Sequence, residues 1–517
     1  MVEVQQYAIH DFELNADAGD QNPFTIAVTA TFVHELGEVV EHLPGFFDGD
    51  KWIIRFSPTL EGTWTGHSQS KHSDLDDHEW SVQCTANQND NIHGFVGIDP
   101  EAPQRFTWSD GTPFLYLAFE CDWLFSYHQS DAQRCYKHID LVAERGFNCF
   151  VTNLYAHTGF ATKKNNDDRP VLPEYIFGPS KLYLFEGNND NPNHERLNID
   201  FFRDFDTLIH YLHQHGIAVH LMLQVQNKEV NWPERRSEAD DQFWRYVVAR
   251  YQAFGNVIWD VGKESKNLKR ETGDHTYTLE RMTIIRETDA YAHMVTVHDV
   301  EIRNAGTLSE PDRQSDFVTD QVHMFDADKY NREAIRRMRN SSTPYVNVEY
   351  GYELAEEQLK TYTGRTTAPW DDVLKWTWSI YTAGAYCCYY YDNTSWDLIK
   401  FEPEPQSWLR YRELRDCLES LPFNQMVADN EYVSHGSCLA LPGEVYLVFL
   451  PDGGDTSIEL SAVSDDASLS AQWIAILTGE SKDGPIERST DWSGFSTDLT
   501  NPFEDTNQPC AIKISVA

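Results

Sequence analysis

Two glutamates in this chain stand where carboxyl chemistry could be placed. Glu264 closes the run Asn256-Val257-Ile258-Trp259-Asp260-Val261-Gly262-Lys263-Glu264, and Glu349 closes Pro344-Tyr345-Val346-Asn347-Val348-Glu349. Each follows a short apolar segment of the kind that forms a buried strand. Hydrolysis of a glycosidic bond needs two carboxyl groups flanking that bond, one as acid and one as nucleophile or base. A lone glutamate after a strand is ordinarily a salt-bridged residue, whereas two at corresponding places in a repeating βα pattern form a candidate catalytic pair. The sequence has no H-E-x-x-H, no G-x-S-x-G and no P-loop, so no metal and no cofactor is expected. Asp452–Asp455 offers acids for calcium, but a solvated hairpin turn is the expected role.

The elements that must position these glutamates lie between about residues 101 and 425. Short apolar runs there alternate with stretches of helical period. Candidate strands are Phe114–Phe119, Asn148–Asn153, Ala218–Leu223, Val257–Val261, Met294–Val297, Phe317–Val322, Tyr345–Val348 and Ala385–Tyr390. Between them, Trp244, Val247, Val248 and Tyr251 fall at i, i+3, i+4 and i+7, one face of a helix. Eight strands alternating with helices predict an α/β fold of the (β/α)8 TIM-barrel type, and no Gly-rich fingerprint follows the first strand to favour an open doubly wound sheet.

In such a barrel the site forms at the C-terminal ends of the strands, where strands four and seven bring Glu264 and Glu349 together. Polar residues past the other strands supply a candidate substrate-binding set. Asn153 and Tyr155 follow strand two, Gln226 strand three, His298 strand five and Trp396 strand eight. His323, past strand six, either orients the strand-seven carboxylate or packs against backbone. The segment His157–Asn198 is too long for a plain βα connection, and such loops usually shape binding or act as lids.

The flanking regions read differently. Residues 7–98 alternate apolar and polar positions between Gly- and Pro-containing turns, which predicts an N-terminal antiparallel β-sandwich. Residues 426–517 return to strand patterning and predict a C-terminal antiparallel β-domain, with Pro451–Asp455 as a hairpin turn. The 517 residues carry 41 Lys+Arg against 82 Asp+Glu, a net charge of −41. That balance opposes binding to nucleic acid or to an anionic membrane, and no apolar run is long enough to span a bilayer. The nine cysteines are odd in number and lack C-x-x-C spacing, so reduced buried thiols are expected. With no leader-like segment at Met1–Gln6, a cytoplasmic location is expected, or a secreted or periplasmic one if a leader has been removed. The expected partner is a carbohydrate substrate, and the flanking β-domains leave room for homo-oligomer contacts.

A family resemblance runs through these motifs. Phe243–Glu264, reading F-W-R-Y-V-V-A-R-Y-Q-A-F-G-N-V-I-W-D-V-G-K-E, resembles the strand-four region of the apiosidase-like (DUF4038) glycoside hydrolases. Phe106, Asp110–Phe114 and Trp123 resemble the opening of that barrel; Pro44–Gly49, Trp52, Arg55–Pro58 and Gly62–Trp64 resemble its frequent N-terminal DUF5060 sandwich. The resemblance implies a TIM-barrel glycosidase with Glu264 as acid/base and Glu349 as nucleophile. The family commonly has Asn before the acid/base Glu, in contact with the sugar 2-hydroxyl; this chain has Lys263. In place of the usual Asp after strand one it has Glu120-Cys121-Asp122-Trp123, whose acids either bind sugar hydroxyls or are structural.

Glycoside hydrolysis with retention is therefore the leading expectation. An inverting hydrolase or a polysaccharide lyase on the same barrel, or a non-catalytic carbohydrate-binding protein, are the alternatives. The eight residues Lys263–Arg270 hold four basic residues and one acid beside Glu264; they form either a helix or loop of ordinary surface pairs or a strip suited to an anionic sugar, sulfated or uronic.

Overall fold

The computed structural model describes residues 1–159, 173–263, 275–300, 313–356, 366–464, 466–491 and 494–516. At its centre eight strand positions follow one another in chain order: Leu117–Glu120, Cys149–Asn153, Ala218–Val225, Val257–Lys263, a fifth in two pieces (Val295–Thr296 and Asp299–Val300), Val318–Gln321, Tyr345–Asn347 and Tyr386–Tyr391. Every pairing between neighbours is parallel, and the eighth strand pairs with both the seventh and the first. The two pieces of the fifth strand complete the ring, because Val295–Thr296 pairs back to the fourth and Asp299–Val300 pairs forward to the sixth. Helices follow strands one to four and six to eight among the described residues, as a (β/α)8 barrel requires.

The local sequence explains the geometry. Strands two, three and four are buried along their whole length, which is why they read as continuous runs rather than as alternation. Gly262 is a packing requirement: a Cβ there would meet the Gln224 carbonyl oxygen at 2.3 Å. The helix Glu238–Tyr251 starts on Ser237, whose side chain accepts from Asp240 N–H, and turns Trp244, Val247, Val248 and Tyr251 into the core. The long connection after strand two contains an antiparallel pair, Phe185–Asn188 with Asn191–Leu197; Lys163, Lys164, Asp167, Asp168 and Arg169 in it lie outside the described residues.

The N-terminal region has a five-stranded and a three-stranded sheet sharing one core of Phe12, Phe32, Trp52, Phe56 and Trp64. It is not wholly antiparallel, since Val2–Gln5 pairs parallel with the strand Glu79–Thr85. Arg55 from this region reaches the barrel helices, bonding Asp206 and the Arg250 carbonyl.

In the C-terminal region, Val445–Leu450 alternates between two faces. Leu447 and Phe449 belong to the barrel's core cluster, while Tyr446, Val448 and Leu450 pack with residues of a second, three-stranded sheet. The turn Pro451–Asp455 is not a hairpin: the strand before it sits in the six-stranded sheet and the strand after it in the three-stranded one. Gly453 and Gly454 both take left-handed φ (68° and 88°), carrying the chain between sheets, and the Asp455 carboxylate accepts from Asn501 N–H. All nine cysteines are free and buried. No described helix is long and apolar enough to cross a membrane.

Candidate active site

Strand ends carry the polar residues. Glu349 lies two residues past strand seven and is buried. Its Oε2 accepts from Gln321 Nε2 at 3.0 Å, and the Lys263 ammonium is 3.9 Å away. Gln321 is the last residue of strand six and Lys263 the last of strand four, so two strands aim side chains at the carboxylate carried past a third. His323 is present but farther, with Nε2 3.7 Å from Glu349 Oε1, and its ring stacks on Phe325. Gln321, two residues before His323, thus hydrogen-bonds Glu349 where His323 does not come within hydrogen-bond distance. Glu264, the residue after strand four, falls outside the described residues, as does the rest of the basic run to Arg270.

The floor of the site is an acid pair set between two lysines. Glu120 and Asp122, at and just past the end of strand one, are both fully buried. The Asp122 carboxylate lies 3.6 Å from Lys263 Nζ and 3.7 Å from Lys228 Nζ. Burial pushes the Glu120 carboxyl well above the ordinary carboxylate range, reinforced by Asp122 beside it. Asp122 feels the same burial, but the two ammoniums outweigh it and hold its carboxyl below the usual value. The two carboxyls are thus pushed apart, Glu120 upward and Asp122 downward. Lys228 also lies 5.0 Å from the Trp123 ring centroid and 5.8 Å from that of Trp396. Lys263 reaches Tyr390 Oη at 3.4 Å, and Tyr390 packs edge-to-face on Tyr352.

Several buried polar atoms here have no hydrogen-bond partner among the described residues: both side-chain polar atoms of Asn153, Trp123 Nε1 and His298 Nδ1. Unpartnered polar groups in a buried site are costly unless a ligand or water completes them. Sugar hydroxyls, which both donate and accept, are suited to that task. The strand ends thus bring Glu120, Asp122, Trp123, Asn153, Lys263, His298, Glu349 and Trp396 to one end of the barrel, with His323 at its edge. Two further expected residues have other partners. Tyr155 packs between Phe125 and Phe201 in the layer of helices, and Gln226 bonds Gln224 and Arg235. Lys228, Gln321 and Tyr390 were not anticipated. Gln321 could have been found from strand alternation, because it shares a face with the inward Thr319; Lys228 sits on a loop and carries no such signal.

A parallel barrel whose strand ends gather carboxylates, lysines and unpartnered ring and amide groups defines a glycoside hydrolase of the barrel type. The chain belongs to the apiosidase-like family: residues 101–433 match the model of the apiosidase-like catalytic domain, and residues 3–71 match the domain of unknown function DUF5060. It is similar over 100% of both chains to a Bacteroides vulgatus protein provisionally assigned as a glycoside hydrolase, at 17% identity and a TM-score of 0.79. A family 5 glycoside hydrolase from the same organism aligns over 82% of this chain and 94% of its own, at 15% identity and a TM-score of 0.61. Among curated proteins, nothing matches the sequence.

Proposed function

We propose that this glycoside hydrolase works with retention of anomeric configuration, with Glu349 as nucleophile and Glu264 as acid/base. The observation that carries the reading is the setting of Glu349: a buried carboxylate past strand seven, hydrogen-bonded by Gln321 and faced by Lys263 from the end of strand four. Glu264 follows Lys263 directly in the chain. In the first step Glu264 gives its proton to the leaving oxygen while Glu349 attacks the anomeric carbon and forms a glycosyl ester. In the second, Glu264 takes a proton from water as that water displaces Glu349 from the same carbon. Asn153 and Trp123 supply hydrogen-bonding groups to the sugar, and Trp396 an aromatic face. The regions 7–98 and 426–517 act as braces around the 101–425 barrel.

Substitution of Glu349 by Ala, followed by added azide, tests the assignment. Azide rescue yields a glycosyl azide of inverted configuration; undiminished activity of both Glu349→Ala and Glu264→Gln overturns the reading. A carboxyl separation of about 6.5–9.5 Å between the two residues in an experimental structure, instead of about 5–5.5 Å, would point to inversion. An unsaturated, ultraviolet-absorbing product would mean a lyase.

The substrate proposed is an anionic glycan, sulfated or uronic. The buried ammoniums of Lys228 and Lys263 at the strand ends, and the basic run Lys263–Arg270, support it in a chain of net charge −41. Activity on the anionic oligosaccharide then exceeds that on its desulfated or reduced neutral counterpart, salt weakens the preference, and Lys263→Ala diminishes it. Equal turnover of the two forms at low salt rejects this.

A further inference from the structure

Beneath Glu349 runs a buried hydrogen-bond chain whose proton positions can be deduced. Gln321 Nε2 lies 3.0 Å from Glu349 Oε2 and also 3.0 Å from His298 Nε2. Facing a carboxylate, the amide must present its NH2 group, since its carbonyl oxygen would meet a second acceptor. An amide NH2 has two hydrogens, so the second one goes to His298 Nε2, which must then be the acceptor. His298 therefore carries its proton on Nδ1. Burial, with Lys263 and His220 nearby, holds the imidazole neutral by moving its pKa well below the ordinary value.

The main chain that carries the ring is anchored from behind: the His298 backbone N–H donates to Asp260 Oδ1 at 3.0 Å, and that oxygen also accepts from the Gly262 backbone N–H at 2.9 Å. Asp260 Oδ2 accepts from His220 Nε2 at 2.7 Å, and the other ring nitrogen of His220, Nδ1, is hydrogen-bonded to Tyr116 Oη at 2.8 Å. Tyr116, His220, Asp260 and His298 are all fully buried. The chain crosses the barrel interior from the first strand's approach through strands three, four and five to six, and ends on the carboxylate past strand seven.

We infer that Gln321 is a positioning residue for Glu349, and that His298, as a neutral Nδ1-protonated ring, acts through Gln321 by holding its amide in the orientation that donates to the carboxylate. The inference rests on the reading of Glu349 as nucleophile. It assigns Gln321 a role that His323, 3.7 Å from the other carboxylate oxygen, does not fill.

The test is a double-mutant cycle on the full chain, assayed with whichever 4-nitrophenyl glycoside is turned over fastest in a panel. Gln321→Met keeps shape and removes the donor, and kcat is expected to fall about 10–100-fold with KM changed far less. His298→Phe keeps the ring and removes the acceptor; kcat is expected to fall roughly 5-fold, about the worth of one hydrogen bond. Because His298 acts through Gln321, adding His298→Phe to Gln321→Met costs less than about a further 2-fold. Azide rescue of Glu349→Ala, which needs no positioned carboxylate, proceeds equally fast with and without Gln321→Met. An inactive, azide-rescued Glu349→Ala enzyme combined with full activity of Gln321→Met overturns the inference alone. So do additive losses in the cycle, or an azide rescue that falls with Gln321→Met, since both describe damage to the fold. A fully active Glu349→Ala enzyme overturns both the inference and the reading beneath it.

Discussion

His138 gives the protein a measurable weakness to acid. Its ring sits in the helix Ala132–Glu144, fully buried among Phe119, Phe150, Phe401 and Trp408 at centroid distances of 4.3–6.4 Å, and neither nitrogen has a hydrogen-bond partner among the described residues. Burial, with Arg134 adding to it, lowers its pKa to about 3. The unfolded chain titrates near the ordinary value of about 6.5, so below that pH it binds a proton that the folded protein refuses. The stability the neutral ring contributes is fully present above about pH 6.5 and drains at about 1.4 kcal/mol per unit as the pH falls towards 3. At pH 5 the loss is about 2 kcal/mol. His138→Phe replaces the ring with one that cannot titrate in either state. Urea unfolding followed by tryptophan fluorescence, at pH 8 and at pH 5, compares the two. The variant and the parent should differ little at pH 8, and the variant should gain about 2 kcal/mol relative to the parent at pH 5. A difference between variant and parent that does not change between the two pH values would refute the reasoning.

Glu353 predicts the opposite sign. Burial raises its carboxyl to about 7 against the hydrogen bonds of Ser407 and Tyr389, so its contribution is present below about pH 4.5 and lost as pH rises to about 7. Glu353→Gln should therefore stabilise the protein by about 3 kcal/mol at pH 8 and by little at pH 4.5, measured as the shift in urea midpoint; a variant destabilised at pH 8 would contradict this. The acid pair at the floor predicts an asymmetry. Burial raises the Glu120 carboxyl and so disfavours its charge, and Glu120→Gln should leave stability within about 1 kcal/mol, whereas Asp122→Asn strips the charge facing Lys228 and Lys263 and should cost about 3 kcal/mol or more. Equal losses in thermal melting would show that the charge is not held on Asp122.

The barrel was legible because its strands are written in an unambiguous code. Buried parallel strands expose neither face, so Ala218–Val225 and Val257–Lys263 appear as apolar runs bounded by helical period, and the eight runs fall in chain order around the ring. The ends were less legible where pairing is decided by distant segments. Nothing in Val2–Gln5 shows that it joins a strand about eighty residues later in parallel rather than a neighbour in antiparallel. Pro451–Asp455 has the composition of a hairpin turn, yet its two flanking strands find partners in different sheets because Val445–Leu450 is buried on both faces.

The site was legible to the extent that strand ends are. Glu120, Asn153, Lys263 and Glu349 each stand at or just past a run, and the barrel topology alone brings them together. What position cannot supply is side-chain direction beyond the strand. Tyr155 lies two residues past Asn153, yet its ring turns outward between Phe125 and Phe201 because the helices offer it an apolar slot. Lys228 lies three residues past strand three and folds back to Asp122, a pairing set by charge and not by period. Lys263 joins both kinds of information. Its place at the end of strand four was readable, but its consequence was not: one ammonium lies within 4 Å of both Asp122 and Glu349. At this position the chain has a buried cation between the floor of the site and the candidate nucleophile. That one ammonium lowers the pKa of both the Asp122 carboxyl and the His298 imidazole, making the two parts of one electrostatic arrangement.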